Sequence, residues 1–433
     1  MINLHSACEM LNQIDPLSYK GKVKNIVGMM IEATGMDAKV GDICNIKDPV
    51  SGQNILSEVV GFKDNNLLLM AYSDIKGIGT GSIVESTGQK LMVPVGDFLK
   101  GRVIDATGTP LDGFGEFEKS CYYNVEATYT NPLERPRIHE KLSYGIKAID
   151  GMLTIGKGQR VGIFAGSGVG KSTLMGMIAR NVKSDINVIA LVGERGREVK
   201  EFIEKDLGEE GLARSVLVIA TSDQPAMFRV KCAMVATTVA EYFRDQGKDV
   251  LLMMDSLTRF AMAHREIGLA AGEPPIARGY TPSIYAELPK LLERSGNFQT
   301  GSITGIYTVL VEGDDTNEPV ADMVRGILDG HIVLSRALAH QNHYPAIDVN
   351  ASISRLMADI CEDSHKQDAA KIRDILSTYN QNSDLISIGA YKQGMNHKLD
   401  DAISRIDAVK GFLTQRVNEC VSFDETLELM QQL

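Results

Sequence analysis

The chain has 433 residues, 44% of them apolar and 23% charged, which is enough for two or three globular domains, each with a core of its own. Its 56 acidic against 45 basic residues leave a formal charge of −11, which argues against a general nucleic-acid binder, and 6% aromatics with no Trp offer no base-stacking platform. No apolar run approaches the roughly 18 residues that span a bilayer, MINLHSACEM is no signal peptide, and six scattered cysteines without a CxxC pair suit a reduced, cytoplasmic chain.

In chain order, Leu4, Ala7, Cys8, Leu11 and Ile14 fall at helical spacing before Asp15-Pro16, which predicts an amphipathic helix over 1–18. Such a helix cannot stand alone in water; packing on its own barrel and docking a partner protein both fit the pattern. Over 19–95, short β-rich runs alternate with turn signals such as Asp64-Asn65-Asn66, at the spacing of a small β-barrel. Residues 101–113 read as a hairpin-like link, and 131–136 as an extended connector.

Over 96–345 the texture changes again. Apolar strands are predicted at 161–164, 187–193, 215–221, 249–256, 302–313 and 331–335, with amphipathic helices between them, including a long one over about 226–246. That alternation means an α/β domain with a mostly parallel sheet covered on both faces, and ligands in such sheets sit at the carboxyl ends of the strands. The rule marks Gly193-Glu194-Arg195, Asp255-Ser256 and Glu312-Gly313. Residues 346–433 are charge-mixed and mostly helical, with no strong strand after about Val349, and read as a third, helical domain.

The stretch AGSGVGKS over 165–172 fits the phosphate-binding loop. An apolar strand leads into Gly166, Ser167, Gly168, Val169 and Gly170, and a helix then starts near Lys171 with Ser172 and Thr173. The glycines let backbone N–H groups converge on a phosphate chain, and the helix start adds the positive end of its dipole. Lys171 reaches the outer phosphates and the Ser172 hydroxyl ligates Mg²⁺. Because strand, loop, lysine, hydroxyl and helix come in the required order, the chain is expected to bind a nucleotide.

Asp255 closes an apolar strand, where it serves either a metal or a helix N-cap; the upstream loop favours the metal. Glu194 projects over the nucleotide edge and is the candidate for polarising the attacking water. Spacing fits equally well a solvated salt-bridge network in GERGRE, and Glu312, Asp314 and Asp315 compete for the role. His340 and His343, lacking a third ligand nearby, read as ordinary surface histidines.

Four stretches, FAGSGVGKSTLMGMIAR, LVGERGREVKEF, DSLTRFAMAHREIGLAAGEPPIARGYTPSIYAELPKLLERSG and HYPAIDVNASISRLM, together resemble the catalytic ATPases of flagellar and injectisome type III protein export. These are relatives of the catalytic subunit of F-type ATP synthase. The resemblance runs from about Gly21 to the C-terminus, and DLISIGAYKQG looks more like the flagellar members. It implies a RecA-like domain in a homohexameric ring that couples Mg²⁺-dependent ATP hydrolysis to chaperone release, unfolding and delivery of flagellar proteins. By that resemblance Lys171 and Ser172 hold the phosphates and magnesium, Glu194 is the catalytic carboxylate and Arg195 approaches the terminal phosphate. Asp255 acts at the metal through water, and Tyr344 stacks on adenine. Arg355 is the arginine finger for the neighbouring subunit's nucleotide, where pattern alone prefers a surface arginine on a helix.

The implied partners are a regulatory stator-like protein at the N-terminus, a coiled-coil stalk protein, a membrane export gate and chaperone–substrate complexes, with no nucleic acid. The implied location is cytoplasmic, peripheral to the inner face of the cell membrane. A rotary synthase subunit would carry a DELSEED-type acidic segment, which is absent. A ring-shaped RNA translocase would need a basic, aromatic-bearing module near the N-terminus, and the acidic balance speaks against one.

Overall fold

In the computed structural model the described residues are 20–48, 52, 54–117, 121–126, 131–311 and 318–433. The helix expected over 1–18 lies outside them, as do Glu312, Gly313, Asp314 and Asp315.

Six short strands come first: β1 (Lys20–Val27), β2 (Met30–Thr34), β3 (Ile43–Lys47), β4 (Asn54–Lys63), β5 (Asn66–Ala71) and β6 (Ile83–Ser86). They pair antiparallel in the order β1-β2-β5-β4-β3-β6, and β6 returns to β1, so the sheet closes into a barrel without a free edge. The period of two sends Val23, Ile31, Ile46, Val59, Leu67, Leu69 and Val84 inside. The alternate residues Met30, Leu68 and Met70 face outward but are also buried, because they join the core of the next domain. β5 is therefore buried on both faces, and the barrel is seated on its neighbour.

A ribbon of β7 (Met92–Pro94) and β9 (Tyr122–Asn124) follows, while β8 (Val103–Asp105) runs to the edge of the central sheet. The hairpin-like link is present: Leu111 N–H donates to Val103 O and Asp105 N–H to Thr109 O, both at 2.8 Å.

The central sheet holds β10 (Arg160–Ala165), β11 (Ile186–Glu194), β12 (Ser215–Thr221), β13 (Asp249–Asp255), β14 (Gly296–Phe298), β15 (Gly301–Leu310), β16 (Gly330–Leu334) and β17 (Ile347–Ser354). Its order is β17-β16-β10-β15-β13-β11-β12-β8, with β14 beside β15. Only the β16–β17 and β14–β15 pairings are antiparallel. Helices Ala226–Asp245, Leu257–Ala270 and Pro282–Leu292 cover one face through residues such as Val230, Phe260 and Leu288. Helices Lys147–Met152 and Lys171–Asn181 cover the other through Ile149, Met175 and Ile178. With both faces buried, the inner strands need an almost continuous apolar run, which is why they are readable in the sequence.

One expectation is corrected. The helical region does not begin at 346: β17 extends the sheet to Ser354, past the last strand expected near Val349. The C-terminal helices that follow pack onto the central domain. Helices Asp363–Gln381, His397–Leu413 and Phe423–Gln431 put Ile372, Ile406, Phe412 and Met430 into the same cluster as the Lys147–Met152 helix. Among the described residues no helix is long and apolar enough to cross a membrane.

Candidate active site

β10 ends at Ala165, and the loop that follows delivers the chain into the Lys171–Asn181 helix. Gly168 and Gly170 hold φ of +78° and +87°, the left-handed region that side-chain-bearing residues avoid. Gly170 is the helix N-cap and supplies no side-chain acceptor, so the first-turn N–H groups are left for a ligand. Ser167, Gly168 and Ser172 are exposed on this rim, Thr173 is half-buried, and Val169 anchors the loop from below at 1% exposure.

Lys171 lies between two carboxylates. Its Nζ donates to Asp255 Oδ1 at 2.5 Å and stands 3.7 Å from Glu194 Oε1. Asp255 ends β13 and Glu194 ends β11, adjacent parallel strands, so both acids come to the carboxyl edge of the sheet beside the loop. Burial works against the Lys171 ammonium, but Asp255 and Glu194 outweigh it and hold its pKa above the usual value. Burial also pushes Glu194 up to about 7, helped by the negative charge of Asp255 and opposed by Lys171. Asp255 is not a helix cap: Ser256 takes that place, its hydroxyl accepting from Arg259 N–H at 3.3 Å. Asp255 instead accepts a bond from Thr308 Oγ1 at 2.7 Å, which fixes its carboxylate toward the loop.

The other expected site residues are placed less uniformly. Tyr344 is 38% exposed, and its ring lies over the loop: a Cβ on Gly170 would sit 3.4 Å from Tyr344 Cε1. Arg195 points into solvent, 3.4 Å from Glu198, and is not gathered around Lys171. Arg355 is exposed and sits just after β17 rather than on a helix, with its N–H on Asp329 O at 3.0 Å and Nη2 on Arg325 O at 3.2 Å. Register puts it at the wrong end for its own loop. Ser354 pairs with Gly330 at the start of β16, whereas Ala165, beside the loop, pairs with Leu334 at its end. Four strand residues separate the two, about 13 Å at ~3.3 Å per residue. His343 departs from the surface reading; it is buried at 9% exposure, which lowers its pKa.

One residue that spacing did not single out belongs here. Arg259 lies along Gly193, where an added Cβ would meet Arg259 Cβ at 3.1 Å, and its buried Nε has no hydrogen-bond partner. The available signal was its position four residues after Asp255, one helical turn into the next element.

Comparisons with known proteins agree with this fold. The family profile "ATP synthase alpha/beta family, beta-barrel domain" matches residues 23–88 and its nucleotide-binding domain 145–354, while "T3SS EscN ATPase C-terminal domain" matches 361–432. The chain is 56% identical over 419 residues to the flagellum-specific ATP synthase of Bacillus subtilis (strain 168), covering 96% of each chain. It is 50% identical over 410 residues to the type 3 secretion system ATPase of Xanthomonas euvesicatoria, covering 95% of this chain and 93% of that one. Among solved structures, the assembled ATPase EscN from the enteropathogenic E. coli type III secretion system matches with a TM-score of 0.91 at 44% identity, over 95% of this chain and 99% of that one. EscN in complex with its central stalk EscO matches with a TM-score of 0.88, at the same identity and coverage. With its barrel, its nucleotide-binding domain and its C-terminal domain all matched, and with relatives at this identity over nearly its full length, the chain is a P-loop ATPase that belongs to the flagellar and type III secretion branch of the ATP synthase alpha/beta family.

Proposed function

We propose that the chain hydrolyses ATP in a homohexameric ring that energises type III export of flagellar proteins. The observation that carries this reading is the split of the machinery: Lys171, Glu194 and Asp255 meet at one end of the sheet, and Arg355 stands at the other. An arginine so placed serves a nucleotide only across an edge-to-edge contact, and a head-to-tail contact of that kind gives a ring when its rotation closes. Export of flagellar components is preferred over injectisome export because the Bacillus subtilis relative is the more similar of the two reported. On the same reading a coiled-coil stalk protein sits in the ring, as EscO does with EscN. A stator-like regulator at residues 1–18, a membrane export gate and chaperone–substrate complexes are the further partners, met in the cytoplasm at the inner face of the membrane.

When the phosphate chain enters, the loop N–H groups receive it and Lys171 turns from Asp255 to the outer phosphates. Glu194, with a pKa near neutrality, is suited to orient the attacking water and hold its proton. Magnesium fits the donors at hand: Ser172 offers a hydroxyl on the loop rim and Asp255 a carboxylate at the end of β13, and Mg²⁺ takes a hydroxyl, one or two carboxylates, water and substrate phosphates. Ser172 would hold it directly and Asp255 through water, and it would supply charge neutralisation on the phosphate oxygens.

Mixing two inactive variants tests the shared site. Arg355→Ala subunits keep a complete loop, and Glu194→Gln subunits keep the finger. In a 1:1 mixture about a quarter of the interfaces combine an intact loop with an intact finger, so phosphate release should recover toward that fraction. Alone, Arg355→Ala should stay about 10³-fold or more below the unaltered chain, and Glu194→Gln about 10²–10⁴-fold below it. No recovery on mixing refutes sharing across subunits.

A further inference from the structure

The helix His397–Leu413 is followed by a strap that crosses to Ser422, the N-cap of the last helix, and on the way meets the backbone of Tyr344 and the C-terminal end of the Lys171–Asn181 helix. Gln415 in that strap is 5% exposed. Its backbone N–H donates to the carbonyl of Tyr344 at 2.9 Å. Its Oε1 accepts from Lys147 N–H at 2.8 Å, and its Nε2 donates to Gly145 O at 2.7 Å and Glu419 O at 2.9 Å. Nearby, Thr414 Oγ1 lies 3.4 Å from His343 Nδ1, and Arg180, near the end of the helix that Lys171 begins, donates through Nη2 to Val417 O at 2.8 Å.

We propose that Gln415 is a positioning residue that holds Tyr344 over the phosphate-binding loop and ties that ring to the C-terminal helices. The inference rests on the reading of Tyr344 as the base-stacking residue. An amide is the side chain that meets this demand, since it offers two donors and an acceptor at one end. A carboxylate would lack the donors for two carbonyls, and an apolar side chain of the same length would leave the buried Lys147 N–H and Gly145 O without this partner. The bond to Tyr344 O is made by the peptide of Gln415, so releasing the side chain releases the tether that places the ring beside Gly170. The base of the nucleotide then loses its fixed platform, while the loop that grips the phosphates stays in place. Movement of the His397–Leu413 helix reaches the base by the same route, because the strap begins where that helix ends.

The test compares ATP with inorganic tripolyphosphate, which has the phosphates and no base. Dissociation constants are measured by calorimetry on the full chain, Gln415→Met, Tyr344→Ala and the double variant. Gln415→Met should weaken ATP about tenfold, the worth of roughly one to two lost net hydrogen bonds, with tripolyphosphate unchanged within about twofold. Tyr344→Ala should weaken ATP similarly, and the double variant no further. If Tyr344→Ala weakens ATP and Gln415→Met does not, the tether is refuted and base stacking stands. If Tyr344→Ala itself leaves ATP affinity unchanged, the stacking reading fails and the tether with it. Equal weakening of tripolyphosphate by Gln415→Met, or additive losses in the double variant, mean a merely structural role and refute the proposal. Should Gln415→Met melt below the assay temperature, Gln415→Glu, which keeps the acceptor for Lys147 N–H and loses both donors, is judged by the same outcomes.

Discussion

Lys171 and Glu194 separate on mutation because they meet different parts of the reaction. Lys171→Ala removes the cation between two carboxylates and should abolish both nucleotide binding and turnover, since Asp255 and Glu194 then repel the phosphates unopposed. Glu194→Gln leaves Lys171 and the loop intact, so ATP should still bind while hydrolysis falls by about 10²–10⁴. Binding of a fluorescent nucleotide and release of phosphate measure the two halves; normal hydrolysis by Glu194→Gln would show that another group orients the water.

His264 is a second residue whose environment sets its chemistry. Its ring packs edge-on against Phe260 at 4.7 Å, and burial lowers its pKa to about 4, with Glu287 and Glu273 pulling up and Lys231 pushing down. The unfolded chain takes up that proton near pH 6.5 and the folded chain only near 4. The stability this histidine contributes is therefore complete above 6.5 and is lost as pH falls toward 4, by an amount on the order of 3 kcal/mol. His264→Gln should shrink the gap between unfolding midpoints at pH 7.5 and pH 5; an unchanged gap would assign the acid sensitivity elsewhere.

At the scale of elements, the barrel and the ATPase domain are joined through β4 and the Ala226–Asp245 helix. Lys231 donates to Glu58 at 2.9 Å inside that junction, and the Tyr72 hydroxyl donates to the same carboxylate. Lys231→Met strands a buried carboxylate and should cost about 3 kcal/mol in a denaturant titration, while Lys231→Met with Glu58→Gln should recover most of it. A cost below about 1 kcal/mol for the single change would mean that the apolar seat of Met30, Leu68 and Met70 holds the barrel without the pair.

Legibility differed among the elements for physical reasons. β10, β11, β12 and β13 are buried on both faces, and their apolar runs were visible as they stand. β17 escaped because it is an edge strand: Asn350, Ala351 and Ile353 are exposed, and its register shifts opposite His331 and Val333, which breaks the alternation that reveals a strand. Arg355, at its end, was consequently read as helical.

For the whole molecule, the mixing experiment asks whether a subunit is the functional unit: on the proposed reading Arg355, about 13 Å of strand from its own loop, is the part that a solitary subunit would lack. Local spacing was enough to define the phosphate-binding loop, the barrel, the alternation of strands and helices, and Glu194 and Asp255 as residues at strand ends, because each depends on neighbours a few positions away. The pairing of Lys171 with Asp255, Arg259 against Gly193 and the Gln415 strap join residues about 84, 66 and 270 positions apart, and the shared core of the C-terminal helices is as distant in sequence. No periodicity encodes contacts at that separation; they follow from how the sheet and its helices pack once the local elements exist.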